Sequence, residues 1–213
     1  MRVTLMSASV FVCLYLCLIV VFMTFEEIEV ANCVKILQTG GTLLYPTDTI
    51  WGIGCDATRR ESVSRVYRIK ARDEDRSFII LLSDPAQLAR YVEEVPATAY
   101  DLLAAVNDSP LTIIYPKGRN LAENVLGRDG SIAIRIVHNT FCKALLTAFG
   151  KPIVSTSANI SGEPSPMCFS AISPHIVSSV DHVAVVHEDT IAETKPSRII
   201  KLEVDGMFKV VRA

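Results

Sequence analysis

Short apolar runs rich in strand-forming residues alternate along this chain with amphipathic stretches of helical period, and this alternation limits the fold more than any other feature. Strands are predicted over 42–45, 78–82, 111–115, 131–137, 152–155, 182–187, 197–204 and 207–212. Helices are predicted over 25–39, 58–71, 97–106 and 140–149, and one more helix is predicted to start at Asp84-Pro85. Helices and strands that alternate in this way are typical of one α/β domain, here with a mixed sheet.

The first helix has a clear start signal. Thr24 and Glu27 have the capping-box spacing, so the Thr24 hydroxyl would accept the Glu27 N–H while the Glu27 carboxylate reaches back. Met23 and Ile28 could form the hydrophobic staple around this box. The folded domain is therefore expected to begin at Met23 or Thr24.

Two other helices have end signals of the same kind. Thr58 and Glu61 repeat the capping-box spacing and predict a helix that runs to about Ala71. Asn139 is suited to cap the 140–149 helix, which should stop at Gly150. The dipeptide at 205–206 is a two-residue hairpin signal between the last two strands.

Residues 3–23 form an almost uninterrupted apolar run of the length that a membrane-spanning helix needs. A membrane anchor, a signal peptide and translated sequence upstream of the real start are the alternatives. A signal peptide is least favoured because the run ends without a small-residue cleavage site. Since Met23 stands at the boundary marked by the capping box, we expect 1–22 to be an apolar extension from a mis-assigned start, followed by a domain over 23–213.

The charge balance and the cysteines exclude several classes of protein. Lys and Arg total 21 against 23 Asp and Glu, and this net charge of −2 argues against a general polyanion binder while allowing a local basic groove. The six cysteines show no C-x-x-C pair and no zinc-ligand spacing with histidine, so buried free thiols are expected. The four histidines form no metal or catalytic pattern, and no metal site is predicted.

Three segments carry polar groups where strands or helices end, the usual place for ligands in open α/β sheets. The first, 45–55, has hydroxyls, a carboxylate, an aromatic ring and two glycines. The second, 70–76, gathers cations at a predicted helix end, and the third, 155–162, has four hydroxyls and one amide after a strand. The chain has no G-x-x-x-x-G-K-[ST] motif, which excludes a P-loop.

Each segment also has an ordinary structural interpretation. Asp48 could simply bond its own backbone in a turn, and the cations at 70–76 could complement the helix dipole from solvent. The 155–162 segment could be a common polar loop. Arg135 occupies an alternate position in an apolar strand, where an arginine either extends toward the polar face or holds a carboxylate in bidentate fashion. The residues alone leave these alternatives open.

Taken in order, the segments resemble the YrdC/Sua5 family over essentially all of residues 24–213. The matching elements are Tyr45-Pro-Thr-Asp-Thr-Ile-Trp-Gly-Ile-Gly-Cys55, Lys70-x-Arg72 with Ser157-x-Asn159, Pro110-Leu-Thr112, Ile132-Ala-Ile-Arg135, Ser155-Thr-Ser-Ala-Asn-Ile-Ser-Gly162, Pro196-Ser197 and the strand that ends in Arg212. The resemblance implies a YrdC-like α/β fold, a twisted mixed sheet with a concave ligand-binding face.

The resemblance also implies an activity. In the implied reaction, threonine, bicarbonate or CO2, and ATP with Mg²⁺ give threonylcarbamoyl-AMP and pyrophosphate. The implied enzyme is therefore a nucleotidyltransferase, and its product serves the threonylcarbamoyladenosine modification of tRNA. The implied catalytic residues are Lys70, Arg72, Ser157 and Asn159. The implied threonine site consists of Thr47, Thr49, Arg135 and Ser197. The implied ATP site consists of Lys70, Arg72, Arg76, Thr112, Ser155, Ser157, Asn159 and Arg212.

The chain departs from the family pattern at a few positions. Asp73 replaces a usual proline, and Arg76-Ser77 replaces a usual Lys/Asn-Pro pair. Trp51 stands where tyrosine is more usual, and Arg198 where threonine is typical. The chain ends one residue after Arg212, so the short single-domain form of the family is expected.

The alternative function is a non-catalytic RNA-binding paralogue on the same fold, which the slightly acidic net charge disfavours. For the synthase, the expected partners are ATP, L-threonine, bicarbonate or CO2, a downstream tRNA threonylcarbamoyl transferase and a contact with tRNA. No stable membrane partner is expected. The expected location is the cytoplasm, with membrane anchoring only if residues 1–22 are translated.

Overall fold

The computed structural model describes residues 24–74, 77–106, 109–186, 196–203 and 205–212. Within them, nine strands form one mixed sheet in the order β7-β1-β2-β6-β3-β5-β4-β8-β9. The strands are β1 Thr42–Tyr45, β2 Gly52–Cys55, β3 Ile79–Leu82, β4 Leu111–Tyr115, β5 Ile132–Ile136, β6 Ile153–Ser157, β7 His182–Val183, β8 Arg198–Leu202 and β9 Phe208–Arg212. The predicted α/β fold with a mixed sheet is confirmed.

The sheet contains both parallel and antiparallel strand pairs. β1 with β7, β3 with β5 and β4 with β8 are parallel, and the other neighbours are antiparallel. The helices are α1 Phe25–Gln38, α2 Arg60–Ile69, α3 Leu88–Tyr91, α4 Ala97–Ala105, α5 Thr140–Phe149 and α6 Pro174–Ser179, with 3-10 turns at Pro85–Gln87, Glu123–Val125 and Phe169–Ala171. The sequence did not predict α6.

The start of α1 follows the predicted capping box. The Thr24 hydroxyl accepts the Glu27 N–H at 3.2 Å, and the Glu27 carboxylate accepts the Thr24 N–H at 2.7 Å. These bonds satisfy donors that would otherwise face solvent at the helix start. The predicted staple partner Met23 lies outside the described residues, as do residues 1–22.

The predicted start of α2 is wrong. The N-cap is Arg59, whose side chain makes no capping bond, and the Thr58 hydroxyl instead donates to Asp56 at 2.6 Å. Asp56 also accepts the Thr58 N–H at 2.8 Å, so the carboxylate two residues earlier outcompetes the helix for Thr58. The helix ends at Ile69, before the predicted Ala71, because Ala71 adopts a positive φ of 48°.

The sequence predicts that 45–55 is a strand end followed by a loop, and this prediction is wrong for its second half. Gly52–Cys55 is the strand β2, paired with β1 and β6. A Cβ atom on Gly54 would lie 2.6 Å from the Tyr45 ring and 2.7 Å from the Val154 carbonyl oxygen. Position 54 therefore requires glycine because neighbouring strands approach closely there, and not because the chain turns. Glycine's low strand propensity concealed β2 from the sequence pattern.

Both faces of the sheet are covered by helices. Along β3, Ile80 and Leu82 belong to one apolar cluster, whereas Leu81 belongs to a second cluster with residues of α1 and α5. The second cluster shares its sheet face with Ser155 and Arg135, because Ser155 lies two residues beyond Ile153 and Arg135 pairs with Leu81. The polar face therefore continues the surface that α1 and α5 cover.

The cysteine prediction is confirmed only in part. Cys33, Cys55 and Cys142 are buried with free thiols, but Cys168 is exposed on the loop before the 3-10 turn at 169–171. Cys13 and Cys17 lie outside the described residues. Among the helices that the structure describes, none is long and apolar enough to cross a membrane.

Candidate active site

A cleft opens where the 46–51 loop, the segment after α2, the ends of β5 and β6, and the C-terminal hairpin meet. It is lined by Thr47, Thr49, Ile50, Trp51, Gly52, Arg72, Ser77, Phe78, Ile79, Arg135, Ser155, Thr156, Ser157, Ser165, Pro196, Ser197 and Arg212. Three arginines and a row of hydroxyls are the polar groups of this lining. Such a set is suited to a ligand that carries several negative charges.

The two threonines of the 46–51 loop form one corner of the cleft. Both are buried, and their hydroxyl oxygens lie 3.0 Å apart. The Thr47 hydroxyl also donates to the Ile50 carbonyl at 2.8 Å and accepts the Thr49 N–H at 3.1 Å. Thr47 thus folds the loop upon itself, which fixes Thr49 against the floor of the cleft.

Arg135 extends from β5 into the same corner. Its Nη1 donates to the Thr49 hydroxyl at 3.1 Å, and its Nη2 lies 3.1 Å from Asp48 Oδ1, off the direct N–H axis. Both charged side chains are at most 8 % exposed. Among the described residues, Arg135 Nε and both Asp48 oxygens lack a hydrogen-bond partner. A buried guanidinium with an unused donor is poised to take a ligand carboxylate.

Lys70 lies behind the cleft, under the 157–161 loop. Its ammonium donates to the carbonyls of Ser157 at 2.5 Å and Asn159 at 2.6 Å, and lies 3.4 Å from the Asn159 side-chain oxygen. Burial and the nearby Arg72 guanidinium lower the pKa of Lys70 to about 8. The loop is held from its other side as well, because Ser161 N–H donates to the Lys70 carbonyl at 2.8 Å.

Asn159 completes this loop. Its side-chain amide donates to the carbonyls of Ile160 at 2.9 Å and Glu163 at 2.7 Å. Ser155 and Ser157 lie two residues apart on β6 and therefore face the cleft together. Lys70 and Asn159 thus shape the segment that presents these serines.

Arg72 lies on the rim of the cleft. Its Nη2 donates to the Ser77 carbonyl at 2.9 Å, and its guanidinium carbon lies 4.9 Å above the Phe78 ring. The positive φ of Ala71 turns the chain after α2 and directs Arg72 toward the cleft. Arg76, predicted beside it, lies outside the described residues.

The C-terminal hairpin closes the opposite wall. The Thr112 hydroxyl of β4 lies 2.8 Å from the Ser197 hydroxyl, and both side chains are buried. Arg212 donates from Nε at 3.0 Å and from Nη2 at 2.7 Å to the Ser197 carbonyl. Partial burial, together with the positive charge of Arg135, lowers the pKa of Arg212. The two guanidinium groups therefore act on one another electrostatically across the cleft.

The structure brings most of the predicted residues to one place. The cleft lining includes Thr47, Thr49, Arg72, Arg135, Ser155, Ser157, Ser197 and Arg212. Lys70, Thr112 and Asn159 are not in that lining and instead support it from behind. The described part of the lining offers no carboxylate, so a divalent ion there would depend on hydroxyls, water and ligand oxygens.

Sequence reasoning missed three contributors. Asp48 pairs with Arg135, Phe78 supports Arg72, and Trp51 packs its ring 5.0 Å from Phe169 while its Nε1 has no partner among the described residues. Asp48 and Trp51 lie inside the 45–55 segment, and Phe78 lies two residues after the 70–76 segment. Their positions were visible in the sequence, but their contacts depend on the fold.

The chain resembles known proteins over most of its length. The Sua5/YciO/YrdC family model, described as "Telomere recombination", matches residues 35–213. A threonylcarbamoyl-AMP synthase of Xanthomonas oryzae pv. oryzae is 35% identical over 171 residues, which cover 79% of this chain and 90% of that protein.

Solved structures agree with the sequence comparison. E. coli YciO superposes with a TM-score of 0.75 at 26% identity and covers 89% of this chain and 90% of its own. P. abyssi Sua5 in complex with L-threonine gives a TM-score of 0.74 at 26% identity over 84% of this chain. The match spans about half of that longer protein, 52%.

Proposed function

This chain belongs to the Sua5/YciO/YrdC family, and from this membership we propose that it is a threonylcarbamoyl-AMP synthase. The proposed reaction joins L-threonine, bicarbonate or CO2, and ATP. Carboxylation of the threonine amine gives a carbamate, whose oxygen attacks the α-phosphorus of ATP and expels pyrophosphate. This chemistry would make the chain a nucleotidyltransferase.

Arg135 is the observation that carries the proposal. Threonine has a carboxylate, an amine and a hydroxyl, and the buried corner around Arg135 offers complements to its polar groups. Arg135 Nε is an unused cationic donor for the carboxylate. The Thr49 hydroxyl can accept from the amine or bond the side-chain hydroxyl, whereas the Thr47 hydroxyl is already occupied by its own loop. Asp48 holds the guanidinium in place from behind. Support also comes from the related Sua5, whose structure contains L-threonine.

ATP would occupy the remainder of the cleft. Arg72 and Arg212 flank it on opposite walls, and the Ser155 and Ser157 hydroxyls lie between them. These cations suit phosphate oxygens, and Ser197 lies beside Arg212 where both substrates would meet. We include Arg76 with the phosphate-binding groups on the resemblance alone.

Mg²⁺ would enter with ATP as part of the substrate. Because the described lining has hydroxyls but no carboxylate, its protein ligands would be hydroxyls such as those of Ser155 and Ser157. When bound, the ion neutralises charge on the phosphates.

The cleft can perform this reaction without a protein nucleophile. The carbamate is itself the nucleophile, so the protein must place its oxygen in line with the α-phosphorus and stabilise the growing charge on the leaving pyrophosphate. Arg135 and the two threonines would fix the carbamate end, while Arg72 and Arg212 would face the phosphates. Burial of the threonine corner excludes water from the labile carbamate.

We place the product in tRNA threonylcarbamoyladenosine modification, with a downstream transferase that consumes the adenylate and a contact with tRNA. We place the enzyme in the cytoplasm. The RNA-binding alternative is not favoured, because the similar curated proteins are named as synthases. A module of that kind also needs no buried arginine with an unused donor.

The test of this function is the variant Arg135→Lys, which retains a positive charge beside Asp48 but loses the forked donor. The assay is pyrophosphate release from ATP that depends on threonine and bicarbonate. We expect the wild type to be active and the variant to raise the KM for threonine about 10- to 100-fold, as loss of charge-assisted hydrogen bonds predicts.

Arg68→Lys, on the exposed face of α2, is the matched control and should behave as wild type. Purified protein that forms no pyrophosphate under these conditions would refute the synthase. Activity with an unchanged threonine KM in Arg135→Lys would refute the assigned role of Arg135.

A further inference from the structure

A second group of reactive side chains lies at the β7 edge of the sheet, and none of its members is in the described lining of the cleft. It consists of Glu29, Cys33 and His182, which we call the edge cluster. Glu29 Oε1 lies 2.6 Å from His182 Nε2 and 3.7 Å from Cys33 Sγ. One donor atom from each residue lies within 4.8 Å of the other two.

The fold, not the local sequence, assembles this cluster. Glu29 and Cys33 are four residues apart on α1 and therefore share one helix face. His182 arrives from β7, which pairs in parallel with β1 through Leu43. The three groups thus join the first helix to the edge strand of the sheet.

The cluster is buried but reachable. Cys33 is fully buried and Glu29 is 5 % exposed, whereas the His182 side chain remains 26 % exposed. Burial and the adjacent Glu29 carboxylate raise the pKa of the Cys33 thiol. The partly exposed His182 side chain thus gives a metal ion access from solvent to the Cys33 thiol. The thiol keeps its proton until a bound metal ion displaces it.

Supporting contacts orient the carboxylate. Glu29 Oε1 also accepts the Val185 N–H at 3.0 Å, and Glu29 Oε2 lies 3.4 Å from the Asn32 amide nitrogen. Outer contacts of this kind fix metal-ligating carboxylates in known sites. Thiolate, imidazole and carboxylate together form the mixed S, N, O donor set that Zn²⁺ accepts.

We propose that the edge cluster binds one Zn²⁺ ion through Cys33 Sγ, His182 Nε2 and Glu29 Oε1, with water in the fourth position. Binding releases the thiol proton of Cys33 to solvent. His182 places its remaining proton on Nδ1, so that the Nε2 lone pair faces the ion. The thiolate and carboxylate together balance the two charges of the ion.

Two of the three distances between the ligand atoms require only a small adjustment, and the third, from Cys33 Sγ to His182 Nε2, is at most 4.8 Å. Ligand atoms around tetrahedral zinc lie roughly 3.3–3.6 Å apart, given bonds of about 2.0–2.3 Å. The Sγ–Oε1 distance of 3.7 Å already agrees, and the Nε2–Oε1 distance of 2.6 Å must open by less than about 1 Å. His182 can supply this movement, because it is the most exposed member of the cluster.

Cobalt(II) tests the site, because a cobalt–thiolate bond gives a charge-transfer absorption that oxygen and nitrogen ligands do not. The full chain is stripped with a chelator, titrated with Co²⁺ and then with Zn²⁺. We expect one cobalt per chain with thiolate absorption, displacement by one equivalent of Zn²⁺, and a higher thermal midpoint with zinc bound.

Cys33→Ala should abolish the absorption and the zinc-dependent midpoint shift. Glu29→Gln and His182→Gln should each weaken zinc binding about tenfold or more. Cys142→Ala is the matched control, since this thiol is equally buried on neighbouring α5, and it should retain both signals. Absence of thiolate absorption in the wild type, or its survival in Cys33→Ala, would overturn the proposal. Thermal unfolding without metal checks that each variant folds.

Discussion

At the scale of single residues, Lys70 shows how far the sequence determines a role. Its place in the Lys70-x-Arg72 element led to a phosphate-binding prediction, which stays a prediction. The three N–H donors of an ammonium group face three oxygens of the 157–159 segment here. The family resemblance predicted that Lys70 belongs with the Ser157-x-Asn159 element, but only the fold could show that its bonds go to backbone carbonyls.

Lys70 should leave a signature in the pH dependence of stability. The pKa falls from its ordinary value of 10.5 to about 8 in the folded protein, chiefly through burial, so between these values the unfolded state binds more protons. The stability of the wild type relative to Lys70→Met should therefore rise from about pH 8 to 10.5, by at most about 1.4 kcal/mol per pH unit. Urea unfolding of both proteins across this range measures it.

The comparison with Lys70→Met is needed because other groups oppose the trend. Burial raises the pKa of Tyr45 and of Cys142, so both favour the folded state less as the pH rises. Their contributions are the same in both proteins and cancel in the difference. A difference that stays flat from pH 7 to 10.5 would show that Lys70 keeps an ordinary affinity for its proton.

At the scale of elements, the sequence predicted most helices and strands, and it failed where the tertiary context overrides local pattern. The 140–149 helix and the 111–115 strand have the predicted bounds, because their caps and periods are local properties. The strand Gly52–Cys55 (β2) is not predicted from the sequence, since its two glycines allow β1 and β6 to approach β2 closely from its two sides. Of the predicted 182–187 strand, His182–Val183 is regular, residues 184–186 are not, and residue 187 lies outside the described residues.

Substitution of Gly54 should expose this close approach. In Gly54→Ala the new methyl group would lie 2.7 Å from a backbone oxygen, which cannot move without shifting β6. We expect a loss of about 1–3 kcal/mol in the free energy of unfolding, as for overpacked cores. Urea denaturation measures the loss.

Gly150→Ala is the reference for a glycine whose constraint is backbone conformation alone. Its φ is +72°, and a Cβ there would meet nothing within 4 Å. Its expected cost is about 1 kcal/mol. If Gly54→Ala cost no more than Gly150→Ala, β2 would have to lie farther from β6 than the structure places it.

At the scale of the whole molecule, strand order builds the cleft, and strand order is what the sequence could not supply. β2 pairs with β6 through Gly52 and Ser157, so the 46–51 loop and the 157–161 loop are hydrogen-bonded neighbours. Residues about a hundred positions apart are therefore linked by backbone hydrogen bonds, among them the bond from Ala158 N–H to the Trp51 carbonyl. Similarly, the histidines show no metal or catalytic pattern in the sequence, because the fold alone brings His182 next to Glu29, which lies 153 residues earlier in the chain.

This pairing predicts coupling between the two substrates. If threonine orders the first loop, it should also order the second, so threonine should increase the affinity for a non-hydrolysable ATP analogue about 5- to 100-fold. The ATP analogue should raise the threonine affinity by the same factor, since coupling is reciprocal. Titration calorimetry in both orders measures it, and identical affinities with and without the second ligand would exclude the coupling.

The hydrogen-bonded line from Thr112 through Ser197 to Arg212 also bears on how the protein is made. Most of the sheet, from β1 to β6, emerges from the ribosome well before residues 197 and 212 do. A nascent chain can therefore bury much of its core while one wall of the cleft is still inside the exit tunnel. Catalytic competence should arrive abruptly and late, when Arg212 docks on Ser197, so partly synthesised chains would fold without consuming ATP.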